Sequence, residues 1–126
     1  MAALVDTSIL IEHLRGRTEA GDLLRNEAAK GEPLFASVLS RVEIIEGMRP
    51  RERPRTMEMM EGLLWIEVNA SIADRAGEFA NRYSRSHPGV DIADFVIAAT
   101  REELDVTIWT LNVRHFPMIK RLRPPY

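Results

Sequence analysis

The chain contains no cysteine. This absence excludes disulfide bonds and metal sites built on thiolates. The three histidines, His13, His87 and His115, lie too far apart in the sequence to form a local zinc motif. Metal sites built from oxygen ligands are therefore the class that the composition leaves open.

Long apolar runs and glycine-rich phosphate loops are also missing. No apolar stretch approaches the roughly 20 residues that a membrane span needs, and no basic segment precedes an apolar stretch at the N-terminus. We therefore expect a cytoplasmic protein without a membrane association. Neither a Gly-x-Gly-x-x-Gly fingerprint nor a Walker loop is present, which argues against dinucleotide or P-loop triphosphate binding.

Lysine is scarce: Lys30 and Lys120 are the only lysines in the sequence. The net charge of -2 conceals a cluster of arginines at positions 49, 51, 53 and 55. The planar guanidinium suits carboxylate and phosphate groups, so this cluster could bind a partner rich in either. An ordinary solvated face around Pro50 and Pro54 is at least as good an interpretation.

The 126 residues, of which 45% are hydrophobic, predict a single domain over 1–126. Hydrophobic periodicity alternates between strand and helix along the chain. The predicted strands are Ala2–Val5, Leu34–Ala36, Trp65–Val68 and Val106–Leu111. The predicted helices are Thr7–Gly16, Glu19–Lys30 before Gly31, a third from Ser37 or Ser40 to Gly47, Arg55–Leu64, Ser71–Ser84 and Asp91–Glu103. Pro50–Pro54 is predicted as a polar connector and Arg121–Tyr126 as a tail. This alternation predicts an α/β layered fold with a mainly parallel sheet.

Acidic residues occur at places where strands and helices should bring them together. Asp6 follows the first strand, Glu43 lies in Val42-Glu43-Ile44-Ile45, and Asp91 and Asp94 share a helical face. Carboxylates among aliphatic residues are costly to desolvate unless hydrogen bonds or a cation neutralise them. The pattern therefore favours a magnesium or manganese site at the carboxyl ends of the strands.

Each acid also has a structural interpretation. Asp6 could cap the helix that follows it, Glu43 could be a solvated helix residue, and Asp91 suits the start of a helix, which we slightly prefer to a ligand role. Asp94 is harder to explain in this way, because it is surrounded by aliphatic residues.

The last predicted strand ends in Thr110-Leu111-Asn112. A hydroxyl and an amide at this sheet edge could orient water or a phosphate oxygen. Nearby His115 is more often a surface or capping residue than a general base.

In this order the motifs resemble the PIN domain family, most closely the VapC-type toxins of VapBC toxin–antitoxin modules. The resemblance covers nearly the whole chain and is carried by Asp6-Thr7-Ser8, Glu43 four residues before Gly47, Asp94-Phe95-Val96-Ile97-Ala98-Ala99 and Thr110-Leu111-Asn112-Val113-Arg114-His115-Phe116. It implies a PIN-like three-layer α/β/α sandwich and a Mg²⁺- or Mn²⁺-dependent endoribonuclease. It also implies homodimerisation and inhibition by a VapB-type antitoxin whose tail covers the active site.

By this resemblance Asp6, Glu43 and Asp94 match the three central acids of the family, and Asn112 stands at its fourth acidic position. Asp91 falls where some members carry an additional acid, and Ser8 and Thr110 match hydroxyl residues lining the site. An amide at Asn112 brings no negative charge, so one well-held ion, with a second arriving alongside substrate, is expected. Arg114, close to the site in sequence, is a candidate for substrate binding.

Two other functions are weighed against the nuclease. A phosphatase with Asp6 as nucleophile is disfavoured, because Ser8 stands where an Asp-x-Asp motif has its second acid. A PIN-like binding module with weakened catalysis is suggested only by Asn112. Some apolar side chains could line a dimer interface or an antitoxin groove, although ordinary core is the safer interpretation for most of them. They are Leu10, Ile11, Leu14, Met57, Met59, Met60, Leu63 and Leu64.

Overall fold

The computed structural model describes residues 2–126 and contains a parallel four-stranded sheet. The strands are β1 (Ala3–Val5), β2 (Leu34–Ser37), β3 (Leu64–Ile66) and β4 (Thr107–Trp109). Their order across the sheet is β3-β2-β1-β4, and each neighbouring pair is parallel. The carboxyl ends of all four strands therefore lie at one edge of the sheet, with β1 in an interior position.

Six α-helices connect and cover these strands. They are α1 (Thr7–Leu14), α2 (Thr18–Ala29), α3 (Val38–Gly47), α4 (Arg53–Glu61), α5 (Ala70–Tyr83) and α6 (Ile92–Leu104). Two short 3-10 helices cover Pro50–Glu52 and Val113–His115. Within residues 2–126, no helix has the length and apolar character needed to cross a bilayer.

The side chains of β1 alternate between two hydrophobic cores, as the period of a strand requires. Leu4 packs with α5 and α6 around Phe79 and Phe95 on one face of the sheet. Ala3 and Val5 pack with α1 to α4 on the opposite face. Two helical layers thus enclose the sheet, which confirms the predicted three-layer α/β/α sandwich.

The predicted elements are all present, with shifted ends. The connector prediction for Pro50–Pro54 is wrong in its second half, because α4 already begins at Arg53. Proline fits the first turn of a helix, where its missing N–H is not needed. The helix predicted to reach Leu64 ends at Glu61, and Leu64 instead opens β3.

The last strand is shorter than predicted, ending at Trp109 instead of Leu111. The backbone N–H groups of Leu111 and Asn112 donate to the side chains of Ser8 and Thr110. Since a backbone donor used in this way cannot join the sheet ladder, the chain leaves the sheet at the candidate site.

The proposed apolar surface is largely core. Leu10, Met60 and Leu63 are buried, which confirms the core interpretation for them, while Ile11, Leu14, Met57 and Met59 are partly buried. Only Leu64 of that set is mostly exposed, at 54%. Other large exposed apolar side chains are Val42, Ile45 and Ile92.

Candidate active site

Asp6 lies at the carboxyl end of β1 and is only 4% exposed. It occupies the N-cap position of α1, but its side chain makes no capping hydrogen bond. Ser8 Oγ and Thr110 Oγ1 instead donate to its Oδ2 atom, at 2.9 and 2.7 Å. The capping alternative for Asp6 is therefore wrong, and its carboxylate is held by hydroxyl groups from opposite ends of the chain.

The two hydroxyls are themselves fixed by the backbone. Leu111 N donates to Ser8 Oγ at 3.1 Å, and Asn112 N donates to Thr110 Oγ1 at 2.9 Å. Each hydroxyl therefore accepts one hydrogen bond and gives its proton to Asp6. Ser8 and Thr110 thus position the Asp6 carboxylate, while their predicted place in the lining of the substrate site stays a prediction.

Glu43 projects from α3 toward a second hydroxyl pair that sequence reasoning did not identify. Thr7 Oγ1 lies 2.8 Å from Glu43 Oε1 and also 2.8 Å from the buried Ser40 Oγ. Because Thr7 has one proton to donate, donation to Glu43 leaves Ser40 as the donor to Thr7. The spacing of Ser40 and Glu43, three apart on a helix, was the available signal.

The pKa of Glu43 is raised from its ordinary value. Burial is the largest cause, and the charges of Asp6, Asp91 and Glu46 add to it, while the Thr7 hydrogen bond opposes it. Glu43 is therefore close enough to Asp6 and Asp91 to be destabilised by their negative charge.

Asp94 and Asp91 form a reciprocal cap at the start of α6. Asp91 Oδ1 accepts from Asp94 N at 3.0 Å, and Asp94 Oδ2 accepts from Asp91 N at 3.1 Å. Asp91 is thus the N-cap residue, as its structural interpretation predicted, and α6 begins one residue later than expected.

The pKa of Asp94 is raised to about 6, and burial is the largest cause. The charges of Asp91 and Asp6 contribute to the rise, whereas the backbone hydrogen bond from Asp91 and the charge of His115 oppose it. His115 Nδ1 lies 3.3 Å from Asp94 Oδ2, so the histidine that sequence reasoning set aside contacts the site.

The three central acids share one hydrogen-bonding pattern. Among residues 2–126, the protein's hydrogen bonds use Asp6 Oδ2, Glu43 Oε1 and Asp94 Oδ2, and none uses the second oxygen of these carboxylates. Each acid is thus fixed through one oxygen, and its other oxygen accepts no hydrogen bond from the described part of the protein.

The remaining predicted site residues are more peripheral. Asn112 is exposed and contributes its backbone N–H to Thr110. Arg114 is exposed on the 3-10 helix that also carries His115. The four arginines at positions 49, 51, 53 and 55 are all exposed.

Within the part of the chain that the structure describes, no three acidic or histidine side chains form a ready-made chelating cluster. The charges of these acids affect each other's pKa, so the carboxyl groups are near one another. In residues 2–126 their oxygens are nevertheless not arranged around a single point that an ion could occupy. The site has more carboxylates than nearby cationic side chains. Such a site suits Mg²⁺ or Mn²⁺, because these ions bind through a few carboxylates and retain water ligands.

Comparison with known proteins agrees with this geometry. The PIN domain family matches residues 3–121. Ribonuclease VapC19 of Mycobacterium tuberculosis is 42% identical over 123 residues, which cover 98% of each chain. Ribonuclease VapC10 of the same organism is 43% identical over 98% of this chain and 92% of its own. A toxin–antitoxin complex from Klebsiella pneumoniae contains a chain of similar structure, with a TM-score of 0.77, 26% identity and 98% coverage of both chains.

Proposed function

Because the chain belongs to the PIN domain family, we propose that it is a metal-dependent endoribonuclease and the toxin of a type II toxin–antitoxin module. The observation that carries this proposal is the buried carboxylate of Asp6, held by Ser8 and Thr110 beside Glu43 and Asp94. The relatives called ribonucleases, over 40% identical, support the same activity.

Asp6, Asp94 and Asp91 are the residues that would hold Mg²⁺ or Mn²⁺, directly or through water. When bound, such an ion polarises phosphoryl oxygens and stabilises charge on the leaving oxygen. The free oxygens of Asp6 and Asp94 are suited to this role, since their partner oxygens are already occupied by the protein.

Glu43 is the residue that orients the attacking water. Thr7 fixes one of its oxygens, and its raised pKa favours uptake of a proton from that water. The water attacks phosphorus in line with the departing 3′ oxygen, so the products carry a 5′ phosphate and a 3′ hydroxyl. Asn112 and Arg114, which are both exposed, are the residues proposed to contact the RNA backbone.

The site residues are tested by isosteric substitution. Asp6→Asn, Glu43→Gln and Asp94→Asn should each abolish cleavage of total RNA in manganese, with circular dichroism unchanged. Asp22→Asn, on the exposed part of α2, is the matched control and should cut as the wild type does. Sequencing the 5′ ends, with a chelator control, reports both activity and cleavage position. Wild-type rates in either aspartate variant would contradict the assignment.

The binding-module alternative rests on Asn112 and on the absence of a preformed chelating cluster in residues 2–126. Calorimetric titration with Mn²⁺ separates the two functions. A catalytic domain should bind the ion and lose that binding in Asp6→Asn, whereas a scaffold should give no heat of binding with either protein.

The partners follow from the same family. A VapB-type antitoxin is proposed because the structurally similar chain occurs in a toxin–antitoxin complex. A homodimer is supported by the exposed apolar side chains Val42, Ile45 and Ile92, which lie near the acidic residues in sequence. Light scattering of the purified protein measures the dimer, and co-purification with the product of the adjacent reading frame tests the antitoxin. We also propose that the protein acts in the cytoplasm, where its RNA substrate is found.

A further inference from the structure

A groove of about 290 Å³ lies along β4, the edge strand of the sheet. We name it the β4 groove; it is formed by Arg101, Thr107–Trp109, the segment 119–123 and Pro125. Ile119 and Leu122 of that segment pack into the core beside α5 and α6. Burial and the charges of Glu12 and Glu19 raise the pKa of Tyr126, so the chain ends beside α1 and α2. The tail therefore passes beside the edge strand β4, from the side of α5 and α6 to the side of α1 and α2.

The charged residues of the β4 groove are all cationic. They are Arg101, Lys120, Arg121 and Arg123, and no Asp or Glu lines the groove. Within residues 2–126, none of these four forms an ion pair, whereas Arg25, Lys30 and Arg75 each do. The groove on α5 and α6 is different, because Asp74, Glu78, Glu102 and Glu103 contribute to its lining.

The β4 groove lies along the strand whose carboxyl end leads into the candidate active site. Trp109, which lines it, directly precedes Thr110, whose hydroxyl holds Asp6. Thr107 and Thr110 are three residues apart, about 10 Å along a strand. The partly buried Trp109 also adds an aromatic side chain to the cationic lining.

We propose that the β4 groove binds the sugar–phosphate backbone of single-stranded RNA beside the bond that is cut. This inference rests on the proposed function. Cations without an acidic partner, in a groove along the strand that ends at the site, supply sequence-independent affinity, while an aromatic ring provides a stacking surface. An acidic peptide would satisfy the charges but would make no use of the ring.

The test removes two charges at the mouth of the groove. The variant Lys120→Gln with Arg123→Gln leaves Arg101 and Arg121 unchanged. Fluorescence anisotropy with a labelled single-stranded RNA, in chelator to prevent cleavage, measures affinity against salt. We expect about tenfold weaker binding at low salt and a salt slope smaller by about 1.4, since each lost contact to a single strand removes about 0.7.

Arg25→Gln with Lys30→Gln is the matched control, with the same change in net charge at two ion-paired residues that do not line the β4 groove. It should retain the wild-type slope. Equal slopes and affinities for the groove variant and this control would overturn the proposal. So would an unchanged RNA slope together with weaker binding of a labelled hexaglutamate peptide, which would assign the groove to an acidic protein partner.

Cleavage assays on the same proteins separate this inference from the proposed function. If the wild type cuts and binds RNA while the groove variant behaves identically, only the groove assignment fails. If the wild type neither cuts nor binds RNA, the proposed function fails and the groove assignment falls with it.

Discussion

Thr110 is a fully buried hydroxyl residue on which the position of Asp6 depends. It donates to Asp6 and accepts from Asn112 N, so it links β1 to the last part of the chain. The pattern Thr-x-Asn at a predicted strand end identified the residue, but not the direction of its hydrogen bonds.

Thr110→Val should lower the free energy of unfolding by about 1–3 kcal/mol. The substitution keeps the shape but leaves a buried carboxylate oxygen and a backbone N–H short of a partner. It should also reduce cleavage, because Asp6 loses one of its two donors. Urea unfolding measures the stability, with the exposed Thr18→Val as the control expected to change it by less than about 0.5 kcal/mol. A fully stable and active Thr110→Val protein would show that the hydroxyl does not position Asp6.

Asp94 makes stability depend on pH in the absence of metal. Its pKa of about 6 in the folded protein lies above the ordinary 3.8, so the folded state binds the proton more tightly. Stability from this group is present at low pH and is lost as the pH rises from about 4 through 6. Asp94→Asn removes the loss and should raise the free energy of unfolding at pH 7 by about 1–3 kcal/mol.

Urea unfolding in chelator from pH 4 to pH 8 checks this expectation. The variant should have a flatter pH profile than the wild type, while Asp22→Asn should follow the wild type. A variant less stable than the wild type at pH 7 would mean that the Asp94 charge is already compensated, by His115 or another group, in the folded protein.

At the scale of single elements, the start of α6 has both a structural and a chemical role. Asp91 and Asp94 cap each other's backbone N–H groups, and the Asp94 carboxyl also interacts with the charge of Asp6. The aliphatic surroundings of Asp94 in the sequence predicted its importance. The reciprocal cap was not predicted. Two acids three residues apart can equally well have solvated side chains, so the spacing of Asp91 and Asp94 does not by itself indicate a cap.

Substitutions at Asp91 distinguish a cap from a metal ligand. Asp91→Asn keeps an oxygen acceptor and should leave the free energy of unfolding within about 0.5 kcal/mol, whereas Asp91→Ala should cost about 1 kcal/mol. Thermal unfolding in chelator measures both. Weaker Mn²⁺ binding by the stable Asp91→Asn protein would establish a ligand role, and unchanged affinity would restrict Asp91 to the cap.

Strand and helix types were predictable because the hydrophobic period differs between them. The end of β4 at Trp109 was not predictable. It depends on the N–H of Leu111 donating to Ser8, 103 residues away in the sequence, and on the N–H of Asn112 donating to Thr110, 2 residues away. Contacts of this kind follow from the packed fold and leave no local pattern. Glu43, by contrast, was predictable from its aliphatic neighbours, although its partner Thr7 was not.

At the scale of the whole molecule, metal binding should stabilise the fold. The acids come from β1, α3 and α6, and their mutual repulsion is present only when the chain is folded. An ion that binds only the folded state at 100 times its dissociation constant adds about 2.7 kcal/mol.

The midpoint of thermal unfolding should therefore rise with Mn²⁺ concentration for the wild type and stay constant for Asp6→Asn. Ca²⁺ at equal ionic strength separates a specific site from general screening, because Mn²⁺ and Mg²⁺ prefer smaller octahedral sites. A shift of the same size in both proteins would indicate binding elsewhere.

The connection between Asp6 and Thr110 spans 104 residues of sequence. A ribosome that has made the first strand has already produced the central acid, but the hydroxyl that fixes it emerges only when synthesis is nearly complete. Partial chains consequently lack an assembled centre. The carboxylate at the end of the first strand therefore acquires its full set of donors only around the time that the finished polypeptide is released.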